Sequence, residues 1–291
     1  MRINNSRIAA YQRCPRYYYQ QFIMRLIPKR EAVPLIVGRA VHSALAVHYI
    51  GKGQDAEAHI KQIFDQTRGK AAWLQPELED LEKQEAYTIQ MYRWYKEQYP
   101  REAWTVLAPE VEGSVPLGRH TLYFRIDMLI SWLGHPWLFE TKTTAQLGPV
   151  FFRKFRLDPQ ISLYSYAAEK ALGVLPKGAV INAIKKSRKL DRAEFAREAI
   201  TRTRRQLDLC VSQTIQQADI MEMLATKAIE LSVKGDLDQA ASLFQMHFNE
   251  CVRYNRTCDY LELCSGQVKD PSDLYATREA DYTEKEEEEE V

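Results

Sequence analysis

The stretch that decides the fold is "RIDMLISWLGHPWLFETKTT", Arg125 to Thr144. Two runs rich in Ile, Leu, Trp and Phe flank "LGHP", a turn signal, and read as neighbouring antiparallel strands. Strand side chains alternate with a period of two, so Glu140 and Lys142 share one face and Thr141 takes the other. Asp127 lies thirteen residues before Glu140, and a hairpin sets it opposite or diagonal to that residue. Carboxylates converging on one face repel unless a cation sits between them. A hard divalent ion with oxygen ligands, Mg2+ or Mn2+, is the natural occupant. It can acidify a water and stabilise charge on a phosphodiester, with Lys142 positioning or deprotonating that water. The competing reading is a solvated Glu–Lys strand pair with Asp127 at an edge.

The pattern extends on both sides. Upstream, "WTVLAPEVEGSVPLG" alternates in the same way and is joined by "PLGR", which predicts a meander of three strands. Downstream, "DPQISLYSYAAEKALG" reads as a helix that sets Gln160 and Tyr164 on one face at i and i+4, and "GAVINAIKK" reads as a strand. Before the meander, Ser6 is a candidate N-cap for "RIAAYQRC", a helix ending near Pro15. "PLIVGRAVHSALAVHYIGKG" reads as a helix closed by Gly51 and Gly53, with His42 beside Val41, Leu45 and Val47. Such a His is either a packed core residue or a ligand. Residues 55–99 read as two helices around a short break, residues 192–247 as largely helical, and 248–267 as irregular and aromatic. The expected class is α/β: a small mixed sheet ordered β-β-β-α-β, flanked by helices. One domain is expected over 1–283, with its core at about 100–190 and helical parts at 1–99 and 191–267.

Composition sets the outer bounds. The 291 residues are 45% hydrophobic and 27% charged, ordinary for a globular chain. No run of about 18 apolar residues is seen, and the first residues lack the apolar core of a signal peptide. A cytoplasmic, membrane-free setting is the expectation. "EKEEEEE", Glu284 to Glu290, carries a net −5 within an overall +1. Residues 284–291 read as a disordered acidic tail. Lys185 to Arg205 holds nine basic residues against three acidic ones, either a face for a polyanion or a solvated surface.

Five cysteines are present, and three fall within "CVRYNRTCDYLELC", Cys251 to Cys264. Disulfides are disfavoured in a reducing compartment. The C-x6-C-x5-C spacing lacks the close pairs usual for a four-cysteine zinc site. Packing cysteines or metal ligands remain as readings. Cys210, in "RQLDLCVSQ", reads as a packing residue.

Taken in order, these signals resemble the PD-(D/E)xK nuclease superfamily, and within it the RecB-like branch. Cys14-Pro15, Gly38 to His42, Ile126-Asp127, Glu140-Thr141-Lys142-Thr143, and Gln160 to Tyr164 follow that branch's motif order over about 150 residues. The resemblance implies a restriction-endonuclease-like core. It implies His42, Asp127 and Glu140 as metal ligands, completed by the carbonyl near Thr141, with Lys142 as the catalytic lysine. Gln160 and Tyr164 would contact the DNA strand, and Glu110 matches an acidic position ahead of the sheet. The family often has a Gly shortly before the Asp; Tyr123, Phe124 and Arg125 stand there instead. AddB-type and CRISPR-associated members hold a [4Fe-4S] cluster, which implies Cys14, Cys251, Cys258 and Cys264 as its ligands. Such a cluster would tie residues 237 apart, worth on the order of 4–5 kcal/mol in a cross-link picture. It would set Tyr17, Tyr18, Arg253, Tyr254 and Arg256 beside the nuclease face.

The implied activity is Mg2+- or Mn2+-dependent exonuclease action on single-stranded DNA or duplex ends. The setting would be recombination, repair, phage DNA processing or CRISPR adaptation, with a protein partner from such machinery. The alternatives are a DNA-end-binding assembly module with little catalysis, and a nucleic-acid-binding protein with a zinc site.

Overall fold

The computed structural model describes residues 1–51, 53–70, 73–187, 189–253, 256–268 and 270–278. Strand β1 (Arg2–Ile3) leads into helices α1 (Asn5–Arg13) and α2 (Pro15–Tyr18), and then β2 (Leu26–Pro28). Three helices follow: α3 (Val33–Ile50), α4 (Ala56–Lys70) and α5 (Gln75–Gln98). The meander is β3 (Thr105–Leu117), β4 (His120–Trp132) and β5 (His135–Thr144). Next come α6 (Pro149–Arg153), α7 (Pro159–Leu172), β6 (Gly178–Lys185) and β7 (Glu194–Thr201). The chain continues through α8 (Arg204–Val233), α9 (Leu237–Ser242), β8 (Val252–Arg253), β9 (Arg256–Thr257), α10 (Leu261–Cys264) and β10 (Tyr275–Thr277). The acidic tail lies outside the described residues.

Two local expectations change. Asn4, not Ser6, caps α1: its side-chain oxygen accepts the Arg7 N–H at 2.9 Å. Either residue suits the role chemically, and the extended backbone at Asn4 selects it. The second change is β7, inside the region expected to be helical. "EFAREAIT" is rich in helix formers, yet it pairs antiparallel with all of β6, from Gly178↔Thr201 to Lys185↔Glu194. Strand β6 is buried almost throughout, so its edge must be hydrogen-bonded, and that demand overrides local propensity. Gly178 permits the approach, because a Cβ there would lie 1.9 Å from the Ile200 carbonyl oxygen.

The chain forms two compact units. One comprises Arg30–Gly113 and Phe124–Asp208. Its sheet is mixed: β4 and β5 are antiparallel, β5 and β6 parallel, β6 and β7 antiparallel. Helix α3 is long and apolar enough to cross a bilayer by length and composition. Here its apolar side packs on α4 and α5, with Ile36, Ala40, Ala44, Ile60, Phe64, Leu81 and Met91 buried together. Each fully buried Ile, Leu or Phe contributes about 1.5–3 kcal/mol.

The other unit comprises Met1–Lys29, Ser114–Tyr123 and the chain from Leu209. Its core joins the two ends of the chain: Tyr18, Tyr19 and Phe22 pack with Met221, Ala228, Leu231 and Phe244. Strand β1 pairs in parallel with Thr121 and Leu122 of β4, and β2 pairs antiparallel with β10.

Candidate active site and cysteine hollow

Gly38 sets the first element of the site. A Cβ at this position would meet Thr143 Oγ1 at 3.3 Å, so glycine lets α3 lie close to β5. His42 follows four residues later on the same helical face and reaches Asp127, with Nδ1 3.1 Å from Oδ2. The registered β4–β5 pairing runs from Trp132↔His135 to Met128↔Phe139. Immediately past it, the Asp127 carboxylate takes the Thr141 backbone N–H at 3.0 Å. A side chain thus replaces the next ladder bond, which anchors the carboxylate at the opening between the strands.

Glu140 and Lys142 share a face, as the period of two requires. The Lys142 ammonium donates to Glu140 Oε1 at 2.6 Å and to Gln160 Oε1 at 2.8 Å. Gln160 donates back from Nε2 to Glu140 Oε1 at 3.1 Å. Gln160 is held at the start of α7, where Asp158 is the N-cap and accepts the Gln160 N–H at 2.8 Å. Tyr164 lies one turn further on and is buried.

The electrostatics follow from this packing. The Glu140 side chain is 4% exposed. Burial, then the Asp127 charge, push its carboxyl up to about 7 against the pull of Lys142 and His42. Burial opposes the charged forms of His42 and Lys142, but neighbouring carboxylates outweigh it, and both hold their protons more tightly than usual. Burial likewise opposes ionised Asp127, yet His42 and the Thr141 N–H keep it below its ordinary value. The site therefore neutralises itself internally with a His–Asp pair and a Lys–Glu pair. Among the described residues, no three His, Cys, Asp or Glu side chains stand as a ready metal-binding group. The donor set of one imidazole and two carboxylates nonetheless suits a hard divalent cation, which would have to break the His42–Asp127 contact and displace Lys142 from Glu140.

Glu110 does not join these residues. It sits in β3 at φ 42° and pairs with Arg125 at 3.2 Å. The basic stretch is largely spoken for within the fold: Lys185 pairs with Glu194, Arg192 with Glu97, Arg197 with Glu102 and Arg204 with Glu169. Arg202 donates to Ser162 Oγ and to the Phe155 and Asp158 carbonyls. Of the two sequence readings, a structural surface fits better than a free polyanion face.

In the other unit, Cys14, Cys251, Cys258 and Cys264 line one small hollow with a cavity volume of about 20 Å3. None is in a disulfide. The chain ends are drawn together there. Arg16 N–H donates to the Gln245 carbonyl at 3.1 Å, His247 N–H approaches Cys14 Sγ at 3.4 Å, and Tyr17 Oη donates to Asp259 at 3.1 Å. The Cys264 thiol is pushed up to about 11 by burial, Arg16 opposing and the three other cysteines adding to the rise. Burial raises the Cys258 thiol as well. Among the described residues, no three His, Cys, Asp or Glu side chains gather around a common metal position, and that holds for these cysteines too. Thiolates are the ligand type an iron–sulfur cluster takes, but the structure does not assemble the cysteine metal site that the resemblance implied. Tyr18 is fully buried in the core and Tyr17 is committed to Asp259, so neither is free for a DNA strand. Tyr254 falls outside the described residues.

The family comparison matches residues 2–265 to the PD-(D/E)XK nuclease superfamily. This chain belongs to that superfamily. A search of curated proteins finds no relative. Among solved structures, one from Eubacterium rectale, named provisionally as an exonuclease, is 14% identical, with 88% of each chain covered and a TM-score of 0.47. Another, named SSO0001, is 12% identical over 66% of this chain and 77% of its own, with a TM-score of 0.27. Both likenesses are loose. The nuclease assignment rests on the family match and on the residues that His42, Asp127, Glu140 and Lys142 bring together.

Residues that sequence reasoning missed surround this site: Asn182, Arg197 and Glu102, hydrogen-bonded in series to Thr141. A polar Asn inside the apolar run "GAVINAI" was the available signal, since a buried amide needs partners.

Proposed function

We propose that this superfamily member is a RecB-like, Mg2+- or Mn2+-dependent DNA exonuclease acting on single strands or duplex ends. The observation that supports this best is the convergence of His42, Asp127, Glu140 and Lys142 at one opening between β4 and β5. His42, Asp127, Glu140 and the Thr141 carbonyl would hold the cation. A divalent ion bound there supplies an acidified water and stabilises charge on the phosphate. Asp127 is already ionised and oriented by the Thr141 N–H. Lys142, released from Glu140, would place its ammonium toward the attacking water and the phosphate oxygens. Gln160, which already bridges Glu140 and Lys142, would orient the lysine, and Gln160 and Tyr164 would face the DNA strand.

Cys14, Cys251, Cys258 and Cys264 would ligate a [4Fe-4S] cluster that clasps the chain ends, a structural role. DNA processing in recombination, repair, phage replication or CRISPR adaptation, with a protein partner from that machinery, is the setting this activity serves. The test is digestion of 5′- and 3′-labelled single- and double-stranded DNA with Mn2+. Asp127→Ala and Lys142→Ala are expected to lose at least about 10²–10⁴-fold in rate while retaining the parent circular-dichroism spectrum. Full cleavage by both variants sinks the assignment. DNA binding without cleavage in the parent favours the assembly-module alternative.

A further inference from the structure

Thr141, Asn182 and Arg197 form a row across three strands. Thr141 is registered against Asn182 between β5 and β6, and Asn182 against Arg197 between β6 and β7. By the strand period of two, this row lies on the face opposite Glu140 and Lys142. It is continuous in hydrogen bonds. Glu102 accepts from Arg197 Nη1 at 2.6 Å and Nη2 at 2.8 Å. Arg197 Nε donates to Asn182 Oδ1 at 3.1 Å. Asn182 Nδ2 donates to Thr141 Oγ1 at 3.3 Å. Thr141 N–H donates to Asp127 Oδ2 at 3.0 Å.

The surroundings are aromatic. The Arg197 guanidinium lies 3.5 Å from the centre of the Tyr99 ring and 5.2 Å from that of Phe139, and Nη2 also reaches the Tyr95 hydroxyl at 2.7 Å. Asn182 is fully buried. An Arg–Glu pair placed among aromatic rings is poor value for stability, because apolar groups of similar volume usually serve as well or better. What such a pair does supply is a fixed direction at each link.

We propose that Glu102, Arg197 and Asn182 are positioning residues for the metal site. They hold the Thr141 side chain, and through it the backbone of a residue whose N–H orients Asp127 and whose carbonyl would help hold the cation. The proposal rests on the nuclease reading of Asp127. Outer partners of metal ligands commonly matter about 10–100-fold in metal affinity or activity, and none of these three is among the residues that would hold the cation.

The test uses the full chain with Thr141→Val, Thr141→Ser and Asn182→Leu. Thr141→Val removes the hydroxyl at nearly constant shape and keeps the backbone N–H; Thr141→Ser keeps the hydroxyl. Mn2+ affinity by titration calorimetry, single-turnover cleavage of labelled single-stranded DNA, DNA affinity without metal, and melting temperature are measured together. Thr141→Val and Asn182→Leu are expected to weaken Mn2+ binding and slow cleavage by about tenfold or more. DNA affinity without metal stays unchanged, and Thr141→Ser, which keeps the hydroxyl, retains more Mn2+ affinity and rate than Thr141→Val. If Asn182→Leu does not fold, the Val and Ser pair carries the test, since Arg197 and Glu102 remain paired in both. Lower melting temperatures with parental Mn2+ affinity and rate overturn the proposal. A parent that neither binds Mn2+ nor cleaves overturns the nuclease reading and this proposal together. A parent that does both, with Thr141→Val indistinguishable from it, overturns the relay alone.

Discussion

The carboxylate site and the cysteine hollow solve opposite electrostatic problems. At the first, every charge has an internal partner: His42 for Asp127 and Lys142 for Glu140. At the second, four thiols stand together and burial keeps Cys258 and Cys264 from ionising. The first site is stable before any ligand arrives, and a cation must compete for it. At the second, ionising Cys258 or Cys264 against that burial is favourable only if positive charge enters with it. A cation would therefore modulate the first region, and the proposed cluster, if bound, would brace the second.

That contrast can be broken most decisively at the cysteines. Cys258→Ser, purified anaerobically, is expected to lose bound iron and visible absorbance. Its melting temperature should fall by about 5–15 °C, which follows from a lost cross-link worth about 2–5 kcal/mol. Asp127→Ala should shift the melting temperature far less. A colourless parent with stoichiometric zinc would reject the cluster, and equal destabilisation by both variants would erase the distinction.

The next effect is on proton competition. Glu140 is held up near 7 and His42 above its ordinary value, and both must lose their protons to ligate a cation. Below about pH 7, Mn2+ affinity should therefore drop at least tenfold per pH unit, and binding should release protons. The dependence flattens only once His42, held above its ordinary value, has also lost its proton. Calorimetry in buffers of differing ionisation enthalpy reads the released protons. A pH-independent affinity between pH 5.5 and 8 would show that these two groups are not ligands.

The smallest effect sharpens the contrast from within. Gln160→Ala removes one hydrogen bond from each partner of a Lys–Glu pair that stays intact. It should slow cleavage by about tenfold, on the scale of one or two hydrogen bonds to charged groups, and leave Mn2+ affinity within a few-fold. Rates equal to the parent would confine Gln160 to packing at the start of α7.

The two regions also differ in how far they were legible. Asp127, Glu140 and Lys142 follow from a hairpin and the strand period, both local rules. His42 follows from Gly38 by helical spacing, once the close packing of α3 on β5 is granted. The N-cap at Asn4 and strand β7 were misread because two residues could cap equally well, and because β6 needed a partner that its own sequence does not name. The charge of Lys185–Arg205 pointed outward in the sequence, while the fold turns most of it toward nearby carboxylates and carbonyls.

Sequence alone therefore determined the chemistry on offer: two carboxylates and a lysine in strand register, a histidine at a set distance from a glycine, and four cysteines at opposite ends of the chain. Periodicity is enough for this, since it acts over a few residues. Tertiary structure decided which groups neutralise one another, which edge β7 covers, that Asn182 and Arg197 lie in line behind Thr141, and that Cys14 meets the cysteines from 251 onward. Those outcomes depend on burial and on hydrogen bonds between residues far apart in the chain, where no local spacing rule reaches.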